Sequence, residues 1–370
     1  MKTLFVGYHD LKTEARSQEM ICLLKMYGET TSVSYGAAFN DGTFVSISNK
    51  NSKKGLLEFL RNAKKAIREI RPDIIILHDT YPMVLLKYIR RLCPKAIVIQ
   101  DQSELYMVNE KTDLSTLKNK VEYLLRFVEK KNTKKVDIVI AANKERAAIM
   151  KDYFELKETP LVFDNMHKIE TDYNEEECRK KFGDLFSNNR FTAIYAGGVF
   201  EDRLTYKMAL QFGKLENECQ LIIVGASEIG GKDKINKLIR DNNIFNVHYL
   251  GFVSREELKY LMEKSDISIS AFAMDIANNI NCASGKVYEG LFLGKPLLAG
   301  INPSLKSLCE ENQIGISTLE FGEGCKILKQ NYSFYQNNVY RFIDKLDYYH
   351  RVERLKNDID SRLAERITNG

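Results

Sequence analysis

A chain of 370 residues exceeds what one hydrophobic core usually supports, so two domains are expected. Its composition, 44% hydrophobic, 10% aromatic and 28% charged, excludes the disordered, collagen-like and disulfide-stapled classes. The net charge of +5 hides an uneven division: residues 1–165 hold 28 Lys and Arg against 21 Asp and Glu, and the remainder 27 against 29, so an acidic partner should meet the first half.

No apolar run approaches the roughly 18–20 residues that span a bilayer, and the start MKTLFVGYHD lacks a signal peptide's apolar core. A cytoplasmic protein is expected, at most peripheral on the inner face of the membrane. The seven cysteines are dispersed without a C-x-x-C pair, which predicts reduced thiols and no zinc cluster.

In chain order, short β-branched runs alternate with amphipathic segments. The first series is Leu4 to Val6, Ile74 to Leu77, Ile97 to Ile99 and Ile138 to Ala141. The second is Ala193 to Ala196, Leu221 to Val224, Val247 to Leu250, Ile267 to Ile269 and Leu297 to Ala299. Unbroken apolar runs between helices predict parallel strands buried on both faces, hence an α/β fold formed twice. The boundaries expected are 1–167 and 168–340, joined by a linker near 164–172 and a polar leading helix. Residues 341–370 are expected to be C-terminal helices able to pack back on the first domain, within a helical stretch from Tyr332 to Arg366.

Two helices of the first half are strongly basic, at 53–71 and 114–135. Leu56, Leu60, Ala63, Ile67 and Ile70 recur at three-to-four spacing, which makes one apolar stripe and one cationic face. Such a helix can lie on an anionic membrane surface, or simply pack its stripe on the sheet and solvate its lysines. Nucleic acid is not an expected partner, because these lysines lack interleaved aromatics or a binding motif.

Open α/β sheets take their ligands at the carboxyl ends of strands. Three clusters stand there: His9 with Asp10, His78 with Asp79, and Asp101 with Glu104. A His-Asp pair in such a place can be a general base and its orienter, or a helix cap beside a satisfied histidine. His9, His78, Asp79 and Asp101 are the candidate catalytic groups. No metal site is evident. Asp358 and Asp360 form a D-x-D motif, but in a charged helical tail, where a solvated face is expected.

The second half is more specific. In SGKVYEGLFLGKPLLAG, Ser284 to Gly300, a loop through Ser284 and Gly285 enters a helix near Lys286, which stops at Gly294 before a Lys-Pro turn and a buried strand. Lys286 and Glu289 share one helical face. A cation, a carboxylate and free backbone N–H groups together can hold a nucleotide diphosphate and its ribose, although the same spacing also makes a surface salt bridge. Upstream, Ser254 and Glu257 read as a capping box. In TAIYAGGVFEDR, Gly197 and Gly198 follow a strand and allow close approach of a ligand, with Arg203 available for phosphate.

Taken in order, these segments resemble the C-terminal domain of GT-B glycosyltransferases, most closely family 4 (glycosyl transferases group 1). Glu289, with Gly294 and Pro296 after it, matches the glutamate that holds the donor's ribose in that family, and Lys286 the lysine three residues before it. Arg203 falls on the diphosphate-binding lysine and Gly225 on the glycine closing the second strand. Phe252 and Val253 fall in the loop by the nucleobase. Two positions depart: the family's first glutamate falls at Asn281, and its arginine after the glycine at Gly198.

The resemblance implies two Rossmann-like domains with parallel sheets facing a central cleft, the first for the acceptor and the second for the donor. It implies a glycosyltransferase that moves a sugar from a nucleotide-diphosphate sugar, a UDP-sugar foremost, to a glycan or lipid-linked acceptor in surface polysaccharide or glycoconjugate synthesis, with no metal or other cofactor. A retaining course would use Lys286 and Arg203 on the leaving group, and an inverting one a base such as Asp101 or Asp79. Two other readings share the architecture: a sugar-nucleotide 2-epimerase, and a non-catalytic glycosyltransferase-like subunit, which the asparagine at 281 would suit.

Overall fold

The computed structural model describes residues 1–11, 14–35, 44–46, 53–105 and 115–368. The chain folds as two compact units, Met1–Asn165 with Tyr348–Gly370, and Met166–Asp347.

The first unit runs β1 (Lys2–Asp10), α1 (Ala15–Lys25), β2 (Glu29–Tyr35), β3 (Phe44–Ser46), α2 (Lys53–Ile70), β4 (Ile74–His78), α3 (Leu86–Leu92), β5 (Ile97–Gln102), α4 (Leu117–Thr133), β6 (Ile138–Ala141), α5 (Lys144–Tyr153) and β7 (Leu161–Val162). All seven strands are parallel, in the order β3-β2-β1-β4-β5-β6-β7. The β-branched runs lie at its centre, where both faces are covered: Ile75, Ile76 and Leu77 of β4 are fully buried. On one face Phe59, Ala63 and Ile67 of α2 pack against Leu4, Val6 and Leu77; on the other Met20 and Leu24 of α1 meet Phe5, Ile76 and Ile140.

The second unit runs α6 (Glu175–Phe182), β8 (Phe191–Ala196), α7 (Thr205–Gly213), β9 (Cys219–Val224), α8 (Gly231–Asp241), β10 (Val247–Gly251), α9 (Arg255–Lys264), β11 (Ile267–Ser270), α10 (Ala277–Ile280), α11 (Gly285–Phe292), β12 (Leu297–Ala299), α12 (Pro303–Asn312), β13 (Gly315–Ser317), α13 (Phe321–Gln330) and α14 (Tyr332–Lys345). Its parallel sheet has the order β10-β9-β8-β11-β12-β13. The expected capping box is formed at α9: Glu257 N–H donates to Ser254 Oγ, and Ser254 N–H to Glu257 Oε2 at 3.0 Å.

The helix expected from Tyr332 to Arg366 is broken. α14 ends at Lys345 and packs on α11, α12 and α13, whereas α15 (Arg351–Thr368) follows Asp347, which has a φ of 44°, and packs on α1 and β7. Leu355 and Ile359 of α15 are buried beside Met20 and Leu24. Asp360 of the D-x-D motif accepts a hydrogen bond from Tyr27 Oη at 2.8 Å and pairs with Lys356, so it fastens α15 to the turn that follows α1. Among the described residues no helix is long and apolar enough to cross a membrane.

Candidate functional site

Each sheet reverses its strand order once, between β1 and β4 in the first unit and between β8 and β11 in the second. Loops diverge at such a point and leave a crevice at the carboxyl ends of the strands.

At the β1/β4 point the partners differ from those adjacent in sequence. His9 Nε2 lies 2.8 Å from Asp79 Oδ2. His78 stands opposite Gly7 and Asp101 in the sheet register. A Cβ at Gly7 would come 2.8 Å from the Phe5 ring and 3.2 Å from His78 Cβ, so the missing side chain leaves room for both. His78 Nδ1 is 2.8 Å from Asp101 Oδ2. Asp101 also receives the Arg16 fork, Nη2 to Oδ1 at 2.6 Å and Nε to Oδ2 at 3.0 Å, while Arg16 Nη1 donates to Phe163 O at 2.6 Å. Arg16, His78 and Asp101 are all buried. Asp101 therefore serves as a strut between α1 and β4, and neither it nor His78 reaches solvent as an expected catalytic group would. Glu104 pairs with Arg146 at 3.2 Å.

Asp79 has a φ of 61°. Its N–H donates to Asp101 O at 2.8 Å, and its Oδ1 accepts from Ser103 N and Oγ, both at 2.9 Å. Burial alone would raise this carboxyl's pKa, but His78, His9 and the Ser103 N–H outweigh it and hold the group well below the carboxylate range. For His78 the opposite holds: burial favours the neutral ring, yet Asp79, Asp101 and Glu14 raise it to about 9. His9 and Asp79, with Tyr8, Thr80, Tyr81 and α4's Glu122, Leu125 and Arg126, line a pocket of about 230 Å³.

His9, His78 and Asp79 offer ligand atoms within 4.8 Å of one another, the one such trio among the described residues. Donors around a tetrahedral zinc with bonds of about 2.0–2.1 Å stand about 3.3 Å apart. The 2.8 Å between His9 Nε2 and Asp79 Oδ2 suits a shared proton better than a metal.

In the second unit the loops after β8, β11 and β12 are bound together. Ala273 N–H donates to Asp202 O at 2.7 Å, Asn302 Nδ2 to Asn279 O at 3.0 Å, and Phe272 N–H to Asn302 Oδ1 at 3.2 Å. The Arg203 guanidinium lies 4.2 Å from the Phe272 ring centroid, with Nη1 buried and unpartnered. Leu204 and Ser284, the N-caps of α7 and α11, make no side-chain capping bond, which leaves backbone donors at both helix starts.

Glu289 is 3% exposed. Its Oε2 takes Lys286 Nζ at 2.9 Å and its Oε1 takes Arg255 Nη1 at 2.8 Å. The i, i+3 salt bridge thus exists, but it is one half of a carboxylate clamped by two half-exposed cations. Sequence reasoning missed Arg255, whose only signal was its place directly after the GFVS loop.

The glycines act differently from the expectation. A Cβ on Gly198 would fall 1.9 Å from the Phe200 ring, and one on Gly197 2.6 Å from Tyr195 Oη, so the protein's own rings occupy that space. Gly225 has a φ of 144°, and its Cβ would stand 2.0 Å from Gly197 O. Gly225→Ala should cost about 1–3 kcal/mol, read as a lower urea midpoint; an unchanged midpoint would refute the close approach to Gly197. Gly251 turns the chain at a φ of 74°. Beyond it Phe252 is 85% exposed and Val253 packs on the α9 side of the sheet. Asn281 turns back to donate to Ala277 O at 3.0 Å, and Gly285 opens α11.

No known family model and no characterised protein matches the sequence. Solved structures do match in fold. Anabaena HepE, in complex with UDP and glucose, superposes with a TM-score of 0.67 at 14% identity over all of both chains. Sucrose-phosphate synthase of Thermosynechococcus elongatus gives 0.70 at 12% over 100% of this chain and 98% of that one. WaaG, a glycosyltransferase involved in lipopolysaccharide biosynthesis, gives 0.70 at 13% over 97% and 99%. At such identities the likeness establishes the fold, and that fold is GT-B, two Rossmann-like units in one chain.

Proposed function

We propose that the protein is a glycosyltransferase that takes its sugar from a nucleotide-diphosphate sugar, UDP-linked in the first instance. The observation that carries this reading is Glu289 of α11, a buried carboxylate clamped by Lys286 in the first turn of that helix and by Arg255 of α9. In the sequence resemblance it matches the glutamate that holds the donor's ribose, and HepE of the same fold was solved with UDP-glucose. In the bound state the ribose hydroxyls would donate to Glu289, while Lys286, Arg203 and the uncapped N–H groups of α7 and α11 would face the diphosphate without a metal. The charge developing on the leaving group would then meet positioned donors.

The acceptor, a glycan or lipid-linked sugar, would enter the pocket beside His9 and Asp79, with Asp79 orienting the imidazole. A place in surface polysaccharide or glycoconjugate synthesis follows from such an acceptor. Asn281, turned back on α10, favours a second reading, a non-catalytic subunit, which predicts nucleotide binding without hydrolysis or transfer.

Calorimetric titration with UDP and GDP tests the donor site. Glu289→Ala and Lys286→Ala should each weaken the preferred nucleotide by about 1–3 kcal/mol. Absence of binding to either nucleotide, or variants that bind as the wild type does, would sink the reading.

A further inference from the structure

The second unit has another pocket, at the opposite edge of its sheet from the loops that hold Arg203 and Lys286. The start of β8 and the ends of α9 and α13 enclose about 340 Å³ there, with Arg190, Lys264, Lys329, Asp266, Phe186 and Phe191 in its wall. Small-molecule sites measure about 300–1,000 Å³, and one water takes only about 30 Å³ in the liquid. The space therefore admits an organic molecule, not an ion alone.

Three cations from three elements meet one acid in that wall. Asp266 Oδ2 accepts the Thr192 N–H at 2.7 Å, which ties the carboxylate to β8. Burial pushes the Asp266 carboxyl up, against the pull of the Thr192 N–H, Lys295 and Lys329. Lys264 pairs with Glu175 at 3.0 Å, and Lys329 Nζ donates to Glu218 O at 3.1 Å. Both lysines stand in the last turn of their helices, where a cation offsets the carbonyl end, so a structural task accounts for them. Arg190 has no such task. Its guanidinium is half-buried and has no hydrogen-bond or ion-pair partner among the described residues, although it carries five N–H donors. Its charge also acts on His248, whose ring is held below its ordinary pKa by burial and then by Arg190. The segment that presents it is fastened: Asn188 Oδ1 accepts the Arg190 N–H at 3.0 Å, Asn188 Nδ2 donates to Gln220 Oε1 at 3.2 Å, and Gln220 Nε2 donates to Leu185 O at 2.7 Å.

We propose that this pocket binds a small sugar phosphate, with the phosphoryl group on Arg190, Lys264 and Lys329 and a sugar hydroxyl donating to Asp266 Oδ1. A guanidinium fork matches phosphate oxygens in pairs, and each lysine keeps donors beyond the one it already uses. Asp266 Oδ1 has no hydrogen-bond partner among the described residues, so it is open to a hydroxyl. Phe186 and Phe191 give the carbon skeleton an apolar wall. The surplus of cations over acids disfavours a neutral sugar or an organic cation. Because the pocket and the donor loops lie at opposite edges of the sheet, this is a second ligand, and its binding does not rest on the function proposed above.

Calorimetric titration of the full chain with ribose 5-phosphate, mannose 6-phosphate, inorganic phosphate and ribose tests it. At least one sugar phosphate should bind, inorganic phosphate should bind more weakly, and ribose should not bind. Arg190→Ala and Lys329→Ala should each weaken the sugar phosphate roughly tenfold, with the urea midpoint and the response to UDP unchanged, and Arg190→Lys should restore part of the loss. Absence of binding to both sugar phosphates, or binding that neither alanine variant weakens, overturns the proposal. So does displacement of the sugar phosphate by UDP, which would place it in the donor site. Equal affinity for inorganic phosphate and the sugar phosphates overturns it too, because the site would then hold an ion alone.

Discussion

Arg16→Met should destabilise the first unit by about 3–5 kcal/mol, the largest effect expected of any substitution considered. Arg16 is 1% exposed and supplies three of its nitrogens, two to Asp101 and one to Phe163 O. Removing it strands a buried carboxylate whose low pKa depends on Arg16 and His78 overcoming the cost of burial. Ion pairs on the surface contribute about 0–1 kcal/mol because water screens them and the side chains lose entropy. Neither saving applies here, since both side chains are enclosed and the fork is already bidentate. Urea unfolding of the first unit is the measurement. A loss below about 1 kcal/mol would mean that the interior repacks around Asp101 or that water enters. The double variant Arg16→Met/Asp101→Asn should lose less than the sum of its single changes, because the two residues share one contact. This strut also has a bearing on catalysis. A charged residue at a strand end invites a catalytic reading, but here Asp101 holds His78, and the pair that lines the pocket is His9 with the buried Asp79 behind it.

The strands legible in the sequence are those with β-branched runs covered on both faces, such as Ile74–His78 and Cys219–Val224. The four that escaped are of another kind. β2 reads ETTSVSY, where Thr and Ser suit a strand but break the apolar run, and β3, β7 and β13 are two or three residues long near the sheet margins. Helix α4 shows why a helical wheel alone misleads. Periodicity separates two faces without saying which one the sheet receives, and the floor beneath α4 is polar because Thr80 and Gln100 end there. At the donor site, Lys286 and Glu289 were visible because helix geometry sets their spacing. Arg255 is 34 residues from Glu289, and only the fold brings the start of α9 to α11. His9 and Asp79 likewise meet only because β1 and β4 are neighbours.

Glu129→Gln should abolish a pH dependence of stability that the wild type carries between about pH 4.5 and 8. Glu129 is fully buried; its two oxygens each lie 3.1 Å from Thr80 Oγ1, and Oε1 lies 3.2 Å from Gln100 Nε2. Burial is the largest influence on this carboxyl and raises it, Asp79 adds to the rise, and Thr80 and Arg126 offset part, leaving a pKa pushed up to about 8. In the unfolded chain a glutamate titrates near its ordinary value of about 4.3. Between the two values the folded state therefore holds a proton that the unfolded state has released. Stability from this group is complete below the unfolded pKa and is lost as pH rises through the window, in total on the order of a few kcal/mol. Glutamine reproduces the shape of the protonated acid and cannot ionise. Its amide oxygen can still accept from Gln100 Nε2. The variant and the wild type should thus be similarly stable at pH 5, and the variant should be the more stable at pH 8, as read from urea midpoints. Unfolding curves that keep a constant separation across that range would show that Glu129 is ionised in the folded protein.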